Sequence, residues 1–579
     1  MIYLFKLFIY LKKYSRQMVL FLIFVIISVV FNMIQPKLIE WAIDKGIIAG
    51  VVKNIIYGAA GIFLLGLIGN ASNLIGGFLL IKAGQGLSHE LRSDLFKKIV
   101  SFSFVNFDKW RTGELMVRLN SDVNTIRMFI RMGLFMIVQS MVTIFVSIIF
   151  MFLTDVRLAT IMSIIMGGTF LLSISFVSVM RPLFMKMREK LDEINNTLQE
   201  NLTGAKVVRA FNRQIYEKEK FSVKNRNIYS MLLKIGYLFS TFMPFMLFIG
   251  NMSVTLILWL GGSEIIQNYN AGTTGFTLGE LIAFNNYAMM SIFPLVMIGM
   301  VLNFVSMASA SAERILKLMQ DVPDIITPDS PVPADKIKGR IEIDSVSFGY
   351  GEGENALSNI NVVIEPGEKI GIIGGTGSGK SSLANLIPRL YDPRQGRILI
   401  DGIDIKKYDP TDLRKKIGIV LQDPILFSGG IRENILYGNP EAGQDIAERA
   451  ARISQSIPFV EEKGWDAGIG ERGAGLSGGQ RQRVTIARAI ASNPSIIILD
   501  DVTSSLDLET ERKVTRGLYD ELNNATVLII SQKIQTIKES DRIIVMDKGK
   551  ISGIGTHNEL LESNDIYRRI AETQNEFIH

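Results

Sequence analysis

Residues 374 to 381 read Gly-Gly-Thr-Gly-Ser-Gly-Lys-Ser, which places Gly374, Gly379, Lys380 and Ser381 at the spacing of the phosphate-binding pattern Gly-x-x-x-x-Gly-Lys-Ser/Thr. Glycines at those points let successive backbone N–H groups curl around a β-phosphate, and a helix that starts just after them adds its partial positive charge. Gly374, Thr376, Gly377, Ser378, Gly379, Lys380, Ser381 and Ser382 are therefore the candidate nucleotide contacts. Lys380 is placed to reach β- and γ-oxygens, and the Ser381 hydroxyl to bind Mg²⁺. The local context suits this chemistry: an apolar strand, Ile370 to Ile373, runs into the loop, and Ser382 to Leu386 open a helix behind it.

A second apolar strand, Ser495 to Leu499, ends in Asp500. A carboxylate at the tip of a buried strand beside such a loop suits a Mg²⁺-bound water, and together the two segments make the halves of a P-loop NTPase site. Between them lies Leu476-Ser477-Gly478-Gly479-Gln480, directly before the helical stretch Arg481 to Ala491. A serine and two glycines at a helix start can hold an anion through hydroxyl and backbone N–H groups.

The elements that must carry these groups fall into two halves. The chain has 579 residues, 48% hydrophobic and 20% charged, with a mean hydropathy of +0.27. That is more apolar surface than soluble cores bury, so part of the chain is expected in lipid. The absence of Cys excludes a disulfide scaffold, a thiolate zinc site and a thiol nucleophile. The net charge of +6 is read as cytoplasmic Lys and Arg, with no nucleic-acid partner.

Six runs free of Asp, Glu, Lys and Arg precede residue 313: 17 to 36, 54 to 81, 133 to 154, 158 to 180, 235 to 263 and 281 to 312. Each is at least as long as the ~20 residues that span hydrocarbon, so six transmembrane helices are expected. Lys and Arg crowd the segments between runs two and three and between runs four and five, whereas the loop from Ser263 to Glu280 has neither. The two basic loops, the N-terminus and everything after Ala312 are therefore expected in the cytoplasm. Both loops keep a helical period, so the membrane helices should continue well beyond the bilayer. Residues 1–16 read as an interfacial elbow helix, 17–319 as the transmembrane domain, 320–338 as a proline-stiffened linker, and 339–579 as an α/β nucleotide-binding domain.

In this order, after six membrane helices, the three motifs resemble those of a half-transporter of the ABC exporter family, over essentially the whole chain. The likeness is to the degenerate-site subunit of bacterial heterodimeric ABC multidrug exporters. It implies ATP and Mg²⁺ as ligands, an adenine-stacking aromatic at Tyr350, and a metal- and water-sensing glutamine at Gln422. It also implies a contact loop at Gly470-Glu471-Arg472-Gly473 and a dimer-contacting turn at Ser504-Ser505-Leu506-Asp507. Two nucleotide domains would pack head to tail, so that the Ser477 loop of one chain closes on nucleotide held by the other. Short transverse helices, expected at Asn106 to Glu114 and Gly204 to Asn212, would carry the motion into alternating access.

Two positions depart from the family pattern. Where it has a glutamate that polarises the attacking water, this chain has Asp501, and where it has a histidine that contacts the γ-phosphate, it has Gln532. The only histidines are His89, His557 and His579. One methylene fewer retracts a carboxylate by about 1.5 Å, and Gln532 cannot become cationic. The expectation is a site that binds ATP and hydrolyses it slowly, beside a sound Ser477 loop that completes the productive site of a second, homologous chain. The cargo is expected to be amphiphilic drugs or lipids exported across the plasma (inner) membrane, because Asn285, Asn286, Tyr287, Met289, Met290, Phe293 and Met297 in the sixth run and Phe242, Met243 and Phe245 in the fifth make an adaptable wall. A homodimeric lipid or peptide flippase and an ATP-gated regulatory or channel-like subunit remain alternatives. The apolar spans exclude soluble roles for the nucleotide domain.

Overall fold

The computed structural model describes residues 2–271, 275–335, 337–503, 505–522 and 524–574. It divides into two compact units, Met1–Val100 with Thr112–Asp321, and Ser101–Arg111 with Val322–His579.

The first unit is helical. Every apolar run of the sequence is helical: five lie inside Ser15–Ala42, Val52–Val100, Val156–Thr203, Gln214–Ala271 and Leu278–Gln320, and the third spans the end of a π-helical turn, Phe129–Leu134, and helix Phe135–Thr154. Among the described residues, five segments are long and apolar enough to cross a membrane: Tyr3–Ile47, Val52–Val100, Thr112–Thr154, Val156–Thr203 and Gln214–Ala271. At 1.5 Å per residue, the 48 residues of Val156–Thr203 extend about 70 Å, more than twice the ~30 Å of a hydrocarbon core. The excess over the bilayer is the helical continuation that the period of the basic loops predicted.

Small residues let the first two of these helices approach closely. A Cβ added at Gly58 would lie 2.7 Å from the Ala42 Cβ, and one at Gly61 would lie 2.9 Å from Leu38 Cδ1. Such backbone proximity replaces the hydrophobic driving force that lipid removes. The N-terminus is a short α-helix, Ile2–Leu7, followed by a 3₁₀ turn, Phe8–Tyr14. Tyr10 donates to Asp94 at 2.9 Å and Lys13 to Glu90 at 2.5 Å, which ties this segment to helix Val52–Val100.

Among the described residues of this unit, Asp122 centres a buried ion cluster. The Asp122 side chain is 3% exposed. It accepts from Arg118 at 3.1 Å, from Arg314 Nε at 3.0 Å and from Ser311 at 2.8 Å, and also meets Arg314 Nη2. A buried carboxylate is tolerable only with such partners. Replacing it with Ala leaves Arg118 with only Glu114, at 3.4 Å, as a counter-charge, where breaking a fully buried pair costs about 3–5 kcal/mol. Arg314 is 42% exposed and rehydrates, so Asp122→Ala is expected to cost about 2 kcal/mol, read as a lower thermal midpoint of the solubilised protein. Asp122→Asn, which keeps the shape, should lose less.

The first transverse helix is Phe104–Lys109, earlier than the expected 106 to 114. Ser103 caps it, with its N–H donated to Asn106 Oδ1 at 3.0 Å, and Trp110 in extended backbone ends it. Glu114 belongs to the next helix, Thr112–Val117. The second transverse helix is Ala205–Ala210.

The second unit is α/β. Its strands are β1 (Ile341–Phe348), β2 (Leu357–Ile364), β3 (Lys369–Gly374), β4 (Gln395–Ile400), β5 (Ile403–Asp404) and β6 (Ile417–Val420). They continue with β7 (Gly429–Gly430), β8 (Gly468–Ile469), β9 (Ile496–Asp500), β10 (Thr526–Ile530), β11 (Arg542–Asp547) and β12 (Lys550–Gly555). An antiparallel sheet orders β2-β1-β4-β5, and a six-stranded sheet orders β12-β11-β3-β10-β9-β6, parallel from β11 to β6. Every residue of β9 and β10 is buried. Strands covered on both faces read as unbroken apolar runs, which is how both were recognisable in the sequence.

Candidate functional site

The parallel strands β6, β9, β10 and β3 end along one edge, where open α/β sheets hold ligands. Gln422 follows β6, Asp500 and Asp501 close β9, Gln532 follows β10, and the loop 374 to 379 follows β3. Topology therefore brings to one edge four segments that are scattered over some 160 residues of sequence.

The loop's glycines are demanded by space and by backbone. Gly377 and Gly379 adopt φ of 78° and 99°, in the left-handed region that favours glycine. A Cβ at Gly379 would lie 2.8 Å from the Ala356 carbonyl, and one at Gly374 would strike the Met546 carbonyl. Helix Lys380–Leu386 begins immediately after. Lys380 is 9% exposed, and its ammonium donates to the Gly374 and Gly375 carbonyls at 2.9 and 2.8 Å. It thus lies back across its own loop. Burial pulls its pKa down, against the opposing charges of Asp500 and Asp501.

The Ser381 hydroxyl lies beside Asp500, close enough to act on its carboxyl. Burial pushes the Asp500 carboxyl up, the neighbouring Ser381 hydroxyl and Lys380 offset part of that, and Asp501 pushes it further up. Asp501 is likewise raised by burial, with Lys380 and Lys533 pulling the other way. Its backbone is left-handed, φ 51°, and its N–H donates to the Ile530 carbonyl at 2.9 Å, so the residue is fixed between β9 and β10. Lys533 itself pairs with the buried Glu511 at 2.8 Å. Sequence reasoning passed over Glu511 because nothing in the helix Leu508–Glu521 marks one acidic residue among several.

Lys380, Ser381, Asp500 and Asp501 are thus gathered together. Gln422 and Gln532 lie exposed at the same edge, with the Gln532 carbonyl accepting from Gln574 at 2.7 Å. Tyr350 follows β1, and its hydroxyl lies 3.1 Å from Ser382 Oγ while its ring stays 43% exposed. Thr376 and Gly377 are exposed, and Ser378 is buried.

The Ser477 loop is elsewhere. Ser477 Oγ accepts from the Gln480 N–H at 3.2 Å, and Gln480 Oε1 accepts from the Ser477 N–H at 2.9 Å, a reciprocal cap on helix Gly478–Ala491. Gly478 and Gly479 approach Ser505 and Leu506. Among the described residues, no hydrogen bond or ion pair joins this loop to Lys380. Glu471–Gly473 form a 3₁₀ turn beside β8, and Asp507 caps the helix Leu508–Glu521 by accepting from Thr510 at 3.0 Å. Ser504 lies outside the described residues.

Tyr391 is a residue that the sequence gave no reason to single out. Its ring meets Tyr350 edge-on at 5.3 Å and Phe104 at 6.0 Å, and its hydroxyl donates to Asp108 at 2.9 Å. Asp108 and Tyr391 are 283 positions apart, beyond any local periodicity.

The family description "ABC transporter transmembrane region" matches residues 18–295, and "ABC transporter" matches residues 357–504. An uncharacterized ABC transporter ATP-binding protein of Bacillus subtilis, YknU, is 36% identical over 489 residues, 84% of this chain and 83% of that one. An ATP-dependent lipid A-core flippase of Syntrophus aciditrophicus is 34% identical over 515 residues, 89% of this chain and 84% of that one. A solved structure of a bacterial Atm1-family ABC exporter with ATP bound superposes with a TM-score of 0.81 at 25% identity, covering 96% of this chain and 99% of the other.

Proposed function

The chain belongs to the ABC transporter family, and from that premise we propose that it is the slow half of a heterodimeric exporter. Members of this family couple ATP hydrolysis to transport and act as dimers in a membrane. The observation that carries the finer reading is the pair Asp501 and Gln532 beside an intact loop 374 to 381.

In this reading the loop and Lys380 bind the triphosphate, Tyr350 offers its exposed ring to adenine, and Gln422 senses the metal. The donor set at Ser381 and Asp500, a hydroxyl beside a carboxylate, consists of hard oxygens that fit Mg²⁺. Bound there, Mg²⁺ supplies charge neutralisation at the phosphates. Asp501 is too short to reach the attacking water, and Gln532 brings only a neutral amide toward the γ-phosphate. Ser477, exposed at a helix start, serves nucleotide held by the partner chain.

A further observation supports a second chain. The first transverse helix packs on Tyr391, but the second, Ala205–Ala210, has no buried residue, and Phe211 after it is 74% exposed. Apolar surface of that kind fits a partner's nucleotide domain. The reading includes six membrane spans in 17–319, an elbow at 1–16, a linker at 320–338, a nucleotide domain at 339–579, and a cytoplasmic N-terminus and nucleotide domain at the plasma membrane. The cargo is an amphiphilic small molecule or lipid. The relatives named as lipid A-core flippases favour lipid.

The test is purification of the chain without a partner and reconstitution in lipid. ATP should bind, with weak turnover. Vigorous hydrolysis that survives Asp501→Asn would reject the asymmetric reading in favour of a symmetric homodimer.

A further inference from the structure

Past β10 the chain leaves the sheet and has to be held by something else. The Ser531 N–H still donates to the Ile372 carbonyl of β3 at 3.1 Å, and the short helix Ile534–Ile537 begins soon after. Gln532 and Lys533 fall between. This stretch has two main-chain groups that need partners outside the sheet and the helix: the Gln532 carbonyl, and the Ile534 N–H, which is the first of its helix. One side chain serves both. Gln574 Nε2 donates to the Gln532 carbonyl at 2.7 Å, and Gln574 Oε1 accepts from the Ile534 N–H at 2.9 Å. A carboxamide presents a donor and an acceptor as a peptide group does, so Gln574 stands in for a neighbouring strand.

Gln574 is itself well anchored. Its N–H donates to the Ile570 and Ala571 carbonyls, each at 3.2 Å, at the end of helix Asp565–Thr573. That helix buries Tyr567 and Ala571 completely, and Asn564 caps it by accepting from Ile566 at 3.0 Å and Tyr567 at 2.9 Å. Glu511 holds the same stretch from helix Leu508–Glu521, accepting from Lys533 at 2.8 Å and Thr536 at 2.5 Å. Glu511 grips side chains, however, and leaves the peptide groups around Lys533 to Gln574. Among the described residues no hydrogen bond engages the Gln532 side chain, which stays exposed at the strand-end edge of the nucleotide site. A fixed backbone under a free amide aims that amide.

We propose that Gln574 is a positioning residue of the slow site: it pins the main chain on both sides of Lys533 and so sets where the Gln532 amide projects toward the γ-phosphate. The proposal rests on the reading of Gln532 as the residue that faces that phosphate. Gln574 touches no nucleotide in this scheme and acts only through Gln532. Placement matters because a shift of about 1 Å at a reacting centre can cost about 100-fold in rate.

The full chain in lipid nanodiscs is compared with Gln574→Met, which keeps the length of the side chain and removes both hydrogen bonds. Amide hydrogen exchange across 532–537 should quicken by about tenfold. Single-turnover cleavage of radiolabelled ATP should slow by about 10- to 100-fold, with ATP affinity unchanged. In the Gln532→Ala background the same Gln574→Met change should leave cleavage as it is, since two residues that act as a unit do not add. A purely structural role would lower cleavage in both backgrounds. Gln574→Glu keeps the acceptor for Ile534 and loses the donor to Gln532, so it should fall between, and it is the second variant should Gln574→Met fail to fold. These are ratios within one chain and are read whether its turnover is weak or vigorous. Equal losses in the two backgrounds, or cleavage that Gln574→Met leaves unchanged, would overturn the proposal with Gln532 kept in its role; cleavage indifferent to Gln532→Ala would overturn both.

Discussion

Purified without a partner, the double variant Asp501→Glu, Gln532→His is expected to hydrolyse ATP about 100- to 10,000-fold faster than the natural chain, the range that a positioned general base contributes. The expectation comes from how rigidly the site holds what it has. Asp501 cannot advance toward a nucleophilic water by shifting its backbone, because its N–H is donated to the Ile530 carbonyl and its φ is left-handed. A longer side chain is the only way to cover the missing ~1.5 Å. The histidine adds a group that can be cationic where Gln532 offers a neutral amide. Each single change should recover less than the pair, since base and γ-phosphate contact act on one transition state. Phosphate release under saturating ATP and Mg²⁺ measures the gain. A double variant no faster than the natural chain would mean that something other than these two side chains limits turnover.

The second large effect is a loss in the assembled transporter. Ser477→Asp keeps an N-cap acceptor for the Gln480 N–H, so helix Gly478–Ala491 should remain capped. It also places a negative charge where the partner's γ-phosphate would sit. Hydrolysis by the mixed dimer should fall by at least about 100-fold, the scale of losing one transition-state donor, with ATP affinity at the Lys380 pocket unchanged. Lys380→Ala in the same chain should do the reverse, removing nucleotide from the slow pocket and sparing most of the turnover. Equal losses from the two variants would point to equivalent sites.

Much of this was legible without coordinates. Charge-free runs mark membrane helices because lipid forbids unpaired charge, and the unbroken apolar runs Ile496 to Leu499 and Thr526 to Ile530 mark strands buried on both faces. The glycines of the loop declare a backbone that only they adopt. What stayed hidden was whatever depends on long-range contact or on local capping. The first transverse helix starts at Phe104 because Ser103 and Asn106 cap each other, a signal shorter than the hydrophobic period that bounded it. Tyr391 carries no signal of its own in the sequence, and Lys380 was expected to point to phosphate, where the structure shows it bonded to its own loop carbonyls.

Residues 101–111 cluster with the nucleotide-binding half although they are threaded between membrane helices. Phe104 and Asp108 complete the surface around Tyr391, so a soluble fragment cut at the linker would begin its life with that patch bare and Tyr391 without an acceptor. The natural seam of this polypeptide for truncation is therefore discontinuous, and a stable excised domain needs the short insert grafted back or supplied in trans as a peptide.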